Sequence, residues 1–231
     1  MRSDVRRDLS WSADAFTRQV WPVIAEWCGG GELWPVETTN DEPGFKKRLD
    51  TDAGIDGWQI KDGEGIRGVA SRVQAFNPAW REWPFNTFTI REKRDSGAET
   101  EYAKRSRALL QAESGWLFPG LTVQAYLSAQ SGGVLQSVAV VRTRDLIEFL
   151  MKGWPEHHFT SQRTTNASFY CVDWIDLARF GREVIGRDVQ LFTYVDTAAL
   201  GAHKTPLKTS DSRPPGFFAR TGGVYVGRGP A

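Results

Sequence analysis

"GIDGWQIKDGEGIRGVASRVQ", residues 54–74, contains a G-x-G-x-x-G string made by Gly63, Gly65 and Gly68. A dinucleotide-binding turn requires a strand, a glycine turn and then a helix, because the pyrophosphate rests on free N–H groups at the helix N-terminus. Here a β-prone run follows instead. Val69, Val73, Ala75 and Phe76 show no helical period, and the acidic "DGEG" repels phosphate. The stretch therefore predicts a β-hairpin in which Asp62-Gly63 supplies the positive φ of the turn.

Working outward, "SADAFTRQVWPVIAEWCGGG" upstream predicts a helix that Ser12 or Asp14 can cap, with Phe16, Val20, Val23, Ile24 and Trp27 at near-helical spacing. Pro22 is an awkward interior residue that can kink it, and Gly29 to Gly31 stop it. Downstream, "NTFTIREK" joins the two hairpin strands to give the pattern of an antiparallel meander. "AETEYAKRSRALLQAE" then predicts a helix, and "LTVQAYLSA" and "GVLQSVAVVRT" two strands joined by "QSGG". "RDLIEFLMKG" is a short amphipathic helix ending at Gly153, and "TNASFYCVDWIDLARF" a strand passing into a helix. The alternation predicts an α/β fold, a central mixed β-sheet with flanking helices, over residues 1–200. Residues 201–231 read as a basic extension in which Lys204, Lys208, Arg213, Arg220 and Arg228 face one acid, Asp211, with one strand at "GGVYVG".

The chain has 231 residues, 40% hydrophobic and 25% charged, the composition of a soluble globular domain. Lys plus Arg is 29 and Asp plus Glu is 28, so bulk charge names no partner, and nucleic-acid affinity has to come from local clustering. No apolar run is long enough for a signal peptide core or a membrane span, which leads to the expectation of a cytoplasmic protein that does not contact membrane. Cys28 and Cys171 are too few for a disulfide framework or a thiolate zinc site, and His157, His158 and His203 limit imidazole-based sites. Buried, reduced thiols are expected. No G-x-S-x-G, G-x-x-x-x-G-K-[ST] or H-E-x-x-H pattern occurs.

What remains for chemistry is carboxylates and cations. Asp56 lies between Gly54 and Gly57, with Asp50 and Asp52 close by. A carboxylate emerging at the start of a strand from a glycine-softened loop can approach a hard cation, or it can cap a turn. Glu101 and Lys104 are three apart and share a helix face, while Arg91 and Lys93 alternate to one side of their strand. Between residues 91 and 107 stand six basic residues, and Arg67 and Arg72 on the preceding strand extend a positive surface able to contact a phosphate backbone without reading sequence. Trp80 and Trp83, flanking Arg81, sit in a loop where aromatics either stack on unpaired bases or plug a hydrophobic gap.

A helix, a strand bearing "GID", a hairpin to a polar-decorated strand, a basic helix, two further strands and the "RDLIEFL" helix together resemble the PD-(D/E)XK nuclease superfamily over residues 12–152. The resemblance implies a restriction-endonuclease-like core and hydrolysis of DNA phosphodiesters with Mg²⁺ or Mn²⁺. In that family an aspartate and a (D/E)-x-K or Q-x-K pair on the next strand bind the metal, and the lysine helps polarise the attacking water. Asp56 matches the aspartate. Ser71, Arg72, Val73 and Gln74 offer neither acid nor lysine, and two residues after Gln74 comes Phe76. Migration of the missing groups to the neighbouring helix, a variation the family shows, assigns catalysis to Asp56, Gln74, Glu101 and Lys104, with Asp56 and Glu101 as metal ligands. Arg72, Arg91, Lys93, Trp80 and Trp83 then contact the nucleic acid. The rival expectation is the same fold with a spent site, binding nucleic acid or a protein partner, with a phage or mobile-element protein as a further possibility.

Overall fold

The computed structural model describes residues 11–36, 53–63, 65–75, 86–111, 117–153, 160–164, 166–196 and 224–226. The first helix, α1, is helical from residue 11, widens into a π turn at Phe16–Val20 and finishes as Trp21–Ile24. Pro22 explains the widening: it has no N–H to donate, and its ring crowds the carbonyl one turn back. The extra residue in that turn rotates the buried stripe, so Phe16, Val20, Trp21, Ile24 and Cys28 face inward. Val23, expected inside, is 39% exposed. Ser12 and Asp14, expected as caps, lie within the helix, and Asp14 instead pairs with Arg18 at 2.7 Å, one turn on.

Three strands follow: β1 (Glu32–Pro35), β2 (Gly57–Lys61) and β3 (Gly65–Ala75). β2 and β3 form the hairpin that the sequence predicts, and Gly63 takes φ 74° in its turn. Next come β4 (Thr87–Arg94), α2 (Glu101–Leu110), β5 (Leu121–Leu127), β6 (Leu135–Arg142) and α3 (Thr143–Lys152). The remainder comprises β7 (Thr160–Arg163), β8 (Ala167–Asp173), α4 (Trp174–Ile185), β9 (Leu191–Val195) and β10 (Val224–Val226).

The strands make two sheets. The larger has the order β1-β2-β3-β5-β6-β9, with β10, at the "VYV" of the predicted strand, added at the β9 edge. It is mixed: β3 and β5 run parallel across the crossover that contains α2, and the other pairs are antiparallel. The smaller sheet has the order β4-β8-β7. This corrects the expected meander, because β4 does not pair with β3. β5 takes that edge of β3, and β4 instead buries Phe88 and Ile90 against α3, β8 and α4.

Two cores result. Val69 and Val73 of β3 pack with β5 and β6 side chains beneath α1, whereas Tyr126, Ala139 and Val141 face Phe88, Phe149 and Trp174 on the other side. The edge of β4 away from β8 is satisfied by side chains rather than by a strand. Gln124 Oε1 accepts from Thr89 N at 3.3 Å and Thr89 Oγ1 at 3.1 Å, and Tyr126 donates its hydroxyl to Thr87 O at 2.8 Å. Glu101 Oε2 accepts from Arg91 N at 3.2 Å. A buried sheet edge needs such partners, because an unpaired buried amide costs on the order of 1–3 kcal/mol. That requirement places Glu101 where both sheets meet.

Candidate functional site

Glu101 is the first residue of α2, and Thr100 fixes where the helix begins. The Thr100 hydroxyl accepts from Ala103 N at 3.4 Å and donates to Glu92 O at 3.0 Å, tying the helix start to β4. From there Glu101 Oε2 takes Arg72 Nη2 of β3 as well as Arg91 N of β4. Its other oxygen faces Arg105 Nη2, one helical turn on, at 3.4 Å. The guanidiniums of Arg72 and Arg91 each lie 5.3 Å from the ring centroid of Phe169 on β8. A ring quadrupole attracts cations in this way, and it holds two guanidiniums close together that would otherwise repel.

Two guanidiniums, those of Arg72 and Arg105, thus pair with one carboxylate, and the Arg91 guanidinium acts on it from farther off. Arg105 is 4% exposed, and among the described residues neither its Nε nor its Nη1 has a hydrogen-bond partner. It lies beside Gly54, where a Cβ would sit 3.8 Å from Nε. Burial by itself pushes the pKa of Glu101 up, but Arg72, Arg105, the Arg91 amide and the Arg91 guanidinium outweigh it and hold the group at about 2. Burial, and then the neighbouring Arg72, push the Arg91 guanidinium below its usual value, with Glu101 opposing them. Among these described side chains three guanidiniums stand against the one ionised carboxylate of Glu101.

Asp56 serves the backbone. Its N–H donates to Val69 O at 2.9 Å, its C=O accepts from Val36 N at 2.9 Å, and its Oδ2 accepts from Ser71 N at 2.6 Å. The β2–β3 ladder ends at Gly57 opposite Val69, so the carboxylate meets the next β3 amide in place of a strand. Gln74 joins the polar layer between the sheets, where Gln124 Nε2 donates to its Oε1 at 2.9 Å.

The structure brings Arg72, Arg91 and Glu101 together, and Arg105, the other partner of Glu101, lies beside Gly54, two residues before Asp56. Lys104 is half-buried on α2, and the ion pairs of Glu101 run to Arg72 and Arg105 rather than to this i+3 neighbour. Arg91 and Lys93 do not share a face, contrary to expectation. A bulge sets Arg91 opposite Phe169 but Lys93 opposite Ser168, and consecutive residues of β8 point to opposite sides. Arg67 does not extend a basic surface either: it donates to Cys28 O at 2.6 Å, in the turn after α1, and to Gln59 Oε1 on β2 at 2.9 Å. Trp80, Trp83, Asp50 and Asp52 lie outside the described residues.

Phe169 is the cluster member that a sequence reading overlooks, and Arg105, counted among the six basic residues of 91–107, is not singled out there as a partner of Glu101. The i, i+4 spacing of Glu101 and Arg105 was available as a signal; the register that puts Phe169 opposite Arg91 was not. A divalent cation does not suit this donor set. Both Glu101 oxygens face guanidiniums, Asp56 Oδ2 holds an amide, and three positive groups repel a further cation. Among the described residues, no group of three or more His, Cys, Asp or Glu is placed to hold a metal. Also among the described residues, no helix is long and apolar enough to cross a membrane. No family model, curated protein or solved structure matches the chain.

Proposed function

We propose that this protein binds the phosphate backbone of nucleic acid, DNA in the first instance, on an α/β scaffold related in plan to the restriction-endonuclease-like core. The observation that carries the reading is the pairing of the Arg72 and Arg105 guanidiniums with Glu101, with the Arg91 guanidinium near Arg72 on the same Phe169 ring, three cations against one carboxylate. Planar guanidiniums engage phosphate oxygens through paired N–H donors, and a site with surplus positive charge selects anions. Arg72 side-chain exposure of 22% leaves it able to meet a ligand from solvent. The scaffold relation is supported by the hairpin with Asp56 at its mouth and by a helical crossover leading to the parallel strand β5. The departure of β4 into a second sheet is this chain's own variation.

The test is binding and cleavage in parallel. Purified protein is incubated with plasmid, single-stranded DNA and RNA in Mg²⁺, in Mn²⁺ and in EDTA, and binding is followed as salt is raised. Salt-sensitive binding that is independent of metal and is lost in Arg72→Gln supports the proposal, because counterion release makes phosphate contacts steeply salt-dependent. Metal-dependent cutting that disappears in Asp56→Ala would replace this reading with the hydrolase expected from the sequence. Absence of binding at low salt rejects the phosphate-binding role.

A further inference from the structure

Glu101 and a phosphodiester compete for the same donors. Glu101 Oε2 alone accepts from both Arg72 Nη2 and Arg91 N, so its departure frees a guanidinium edge and a backbone N–H together. The pair is open to solvent on one side, Glu101 being 26% exposed and Arg72 22%. Behind it Arg105 is 4% exposed, reaches Glu101 at 3.4 Å, and among the described residues keeps Nε and Nη1 without partners. One carboxylate does not exhaust the hydrogen-bonding capacity of this cluster. A carboxylate and a phosphate oxygen are recognised by guanidinium in the same way, so one can stand in for the other.

We infer that Glu101 is an internal competitor: its carboxylate holds Arg72 and the Arg91 amide until a backbone phosphate displaces it, and so sets the affinity of the site. The inference rests on the phosphate-binding role proposed above. A ligand that must first displace an occupant binds with its intrinsic affinity multiplied by the fraction of molecules in which the site is open. Glu101 therefore weakens binding, and it favours extended polyanions, whose neighbouring phosphates raise the local concentration of competitor for the arginines. A purely structural Glu101 has the opposite signature, since its removal then loosens the arginines and weakens binding.

The experiment measures fluorescence anisotropy of a labelled single-stranded DNA oligonucleotide at fixed low salt, with wild type, Glu101→Gln, Arg72→Gln and the double variant. Glu101→Gln keeps the shape and removes the charge, and binding is expected to tighten about tenfold, as for a site that is otherwise open in roughly one molecule in ten. The double variant is expected to lose that gain. Equal or weaker binding by Glu101→Gln overturns the inference, as does a gain that persists without Arg72. If wild type binds, Arg72→Gln does not, and Glu101→Gln shows no gain, the competitor falls while the phosphate-binding role stands. If neither wild type nor Glu101→Gln binds, both fall. A measurement on the unmodified protein covers the case in which the variant does not fold: the NMR signal of the Glu101 side-chain carboxyl carbon, which accepts from Arg72 and the Arg91 amide in the free protein. Saturating DNA is expected to move that signal to the position of a solvated carboxylate. An unchanged signal with DNA bound overturns the inference.

Discussion

Replacing Gln124 by Leu tests whether side chains, rather than strand pairing, satisfy the β4 edge. Gln124 is 1% exposed, and its Oε1 is the acceptor for both Thr89 N and Thr89 Oγ1, while its Nε2 serves Gln74. Leucine nearly preserves the volume, so cavity formation contributes little. The loss is polar: the Thr89 amide is left in a residue only 6% exposed, at about 1–3 kcal/mol, and the Thr89 hydroxyl adds up to about 1 kcal/mol. The added apolar burial returns about 1 kcal/mol, and Gln74, half-buried, can turn to water. The expected net loss is roughly 2 kcal/mol, which for a chain of this size lowers Tm by about 4–8 °C. Urea unfolding followed by circular dichroism measures it, with an unchanged slope expected because the surface exposed on unfolding is the same. Adding Thr89→Val removes the stranded hydroxyl but not the amide, so the double variant is expected to recover part of the loss. Faster exchange at the Thr89 amide in Gln124→Leu is the local signature. A loss under about 0.5 kcal/mol with unaltered Thr89 exchange refutes the edge argument.

The acid limb of stability carries a second prediction. Glu101 has its pKa lowered from 4.5 to about 2 on folding, so its contribution, roughly 3 kcal/mol, is complete above pH 5 and is lost as pH falls from 4.5 towards 2. Glu101→Gln should flatten that limb in urea titrations at successive pH values, and an identical acid profile would contradict it. Burial pushes the Cys28 thiol up to about 11 and Cys171 to about 12, so both should stay unreactive towards a disulfide reagent at pH 8 in the native state and react once unfolded. Rapid native labelling of either argues against its burial. Asp145, 1% exposed, holds Arg142 Nε at 2.7 Å and Arg187 Nη2 at 2.7 Å. Asp145→Ala should cost about 2 kcal/mol in chemical denaturation, less than a fully buried pair, because both guanidiniums are more than a third exposed or nearly so and can return to water. A cost below about 0.5 kcal/mol would show that the carboxylate does not anchor the start of α3.

Local pattern determined a good deal of this molecule. The hairpin turn at Gly63, the glycine stop after α1, β5 and β6 with their short connection, the amphipathic α3 and the strand-to-helix passage of β8 into α4 all follow from periodicity and turn chemistry in the chain itself. These are short-range preferences, set within a few residues, and so they are written in sequence. Arg72, Arg91 and Glu101 could also be named as candidates, because charged residues in β-prone or helix-start positions stand out.

What those side chains do was decided by tertiary structure. β4 presents the same alternation whether it pairs with β3 or with β8, and only the competing claim of β5 on the β3 edge sends it to the second sheet. That choice leaves the Arg91 amide without a strand partner and brings Glu101 to it. A single bulge turns Lys93 away from Arg91, and a proline-driven π turn moves Val23 out of the core. Each depends on which distant backbone groups remain unpaired, a quantity that no window of sequence contains. Hence the chain alone specified the strands, helices and charges, while long-range pairing determined that two guanidiniums and the Arg91 amide meet on one carboxylate.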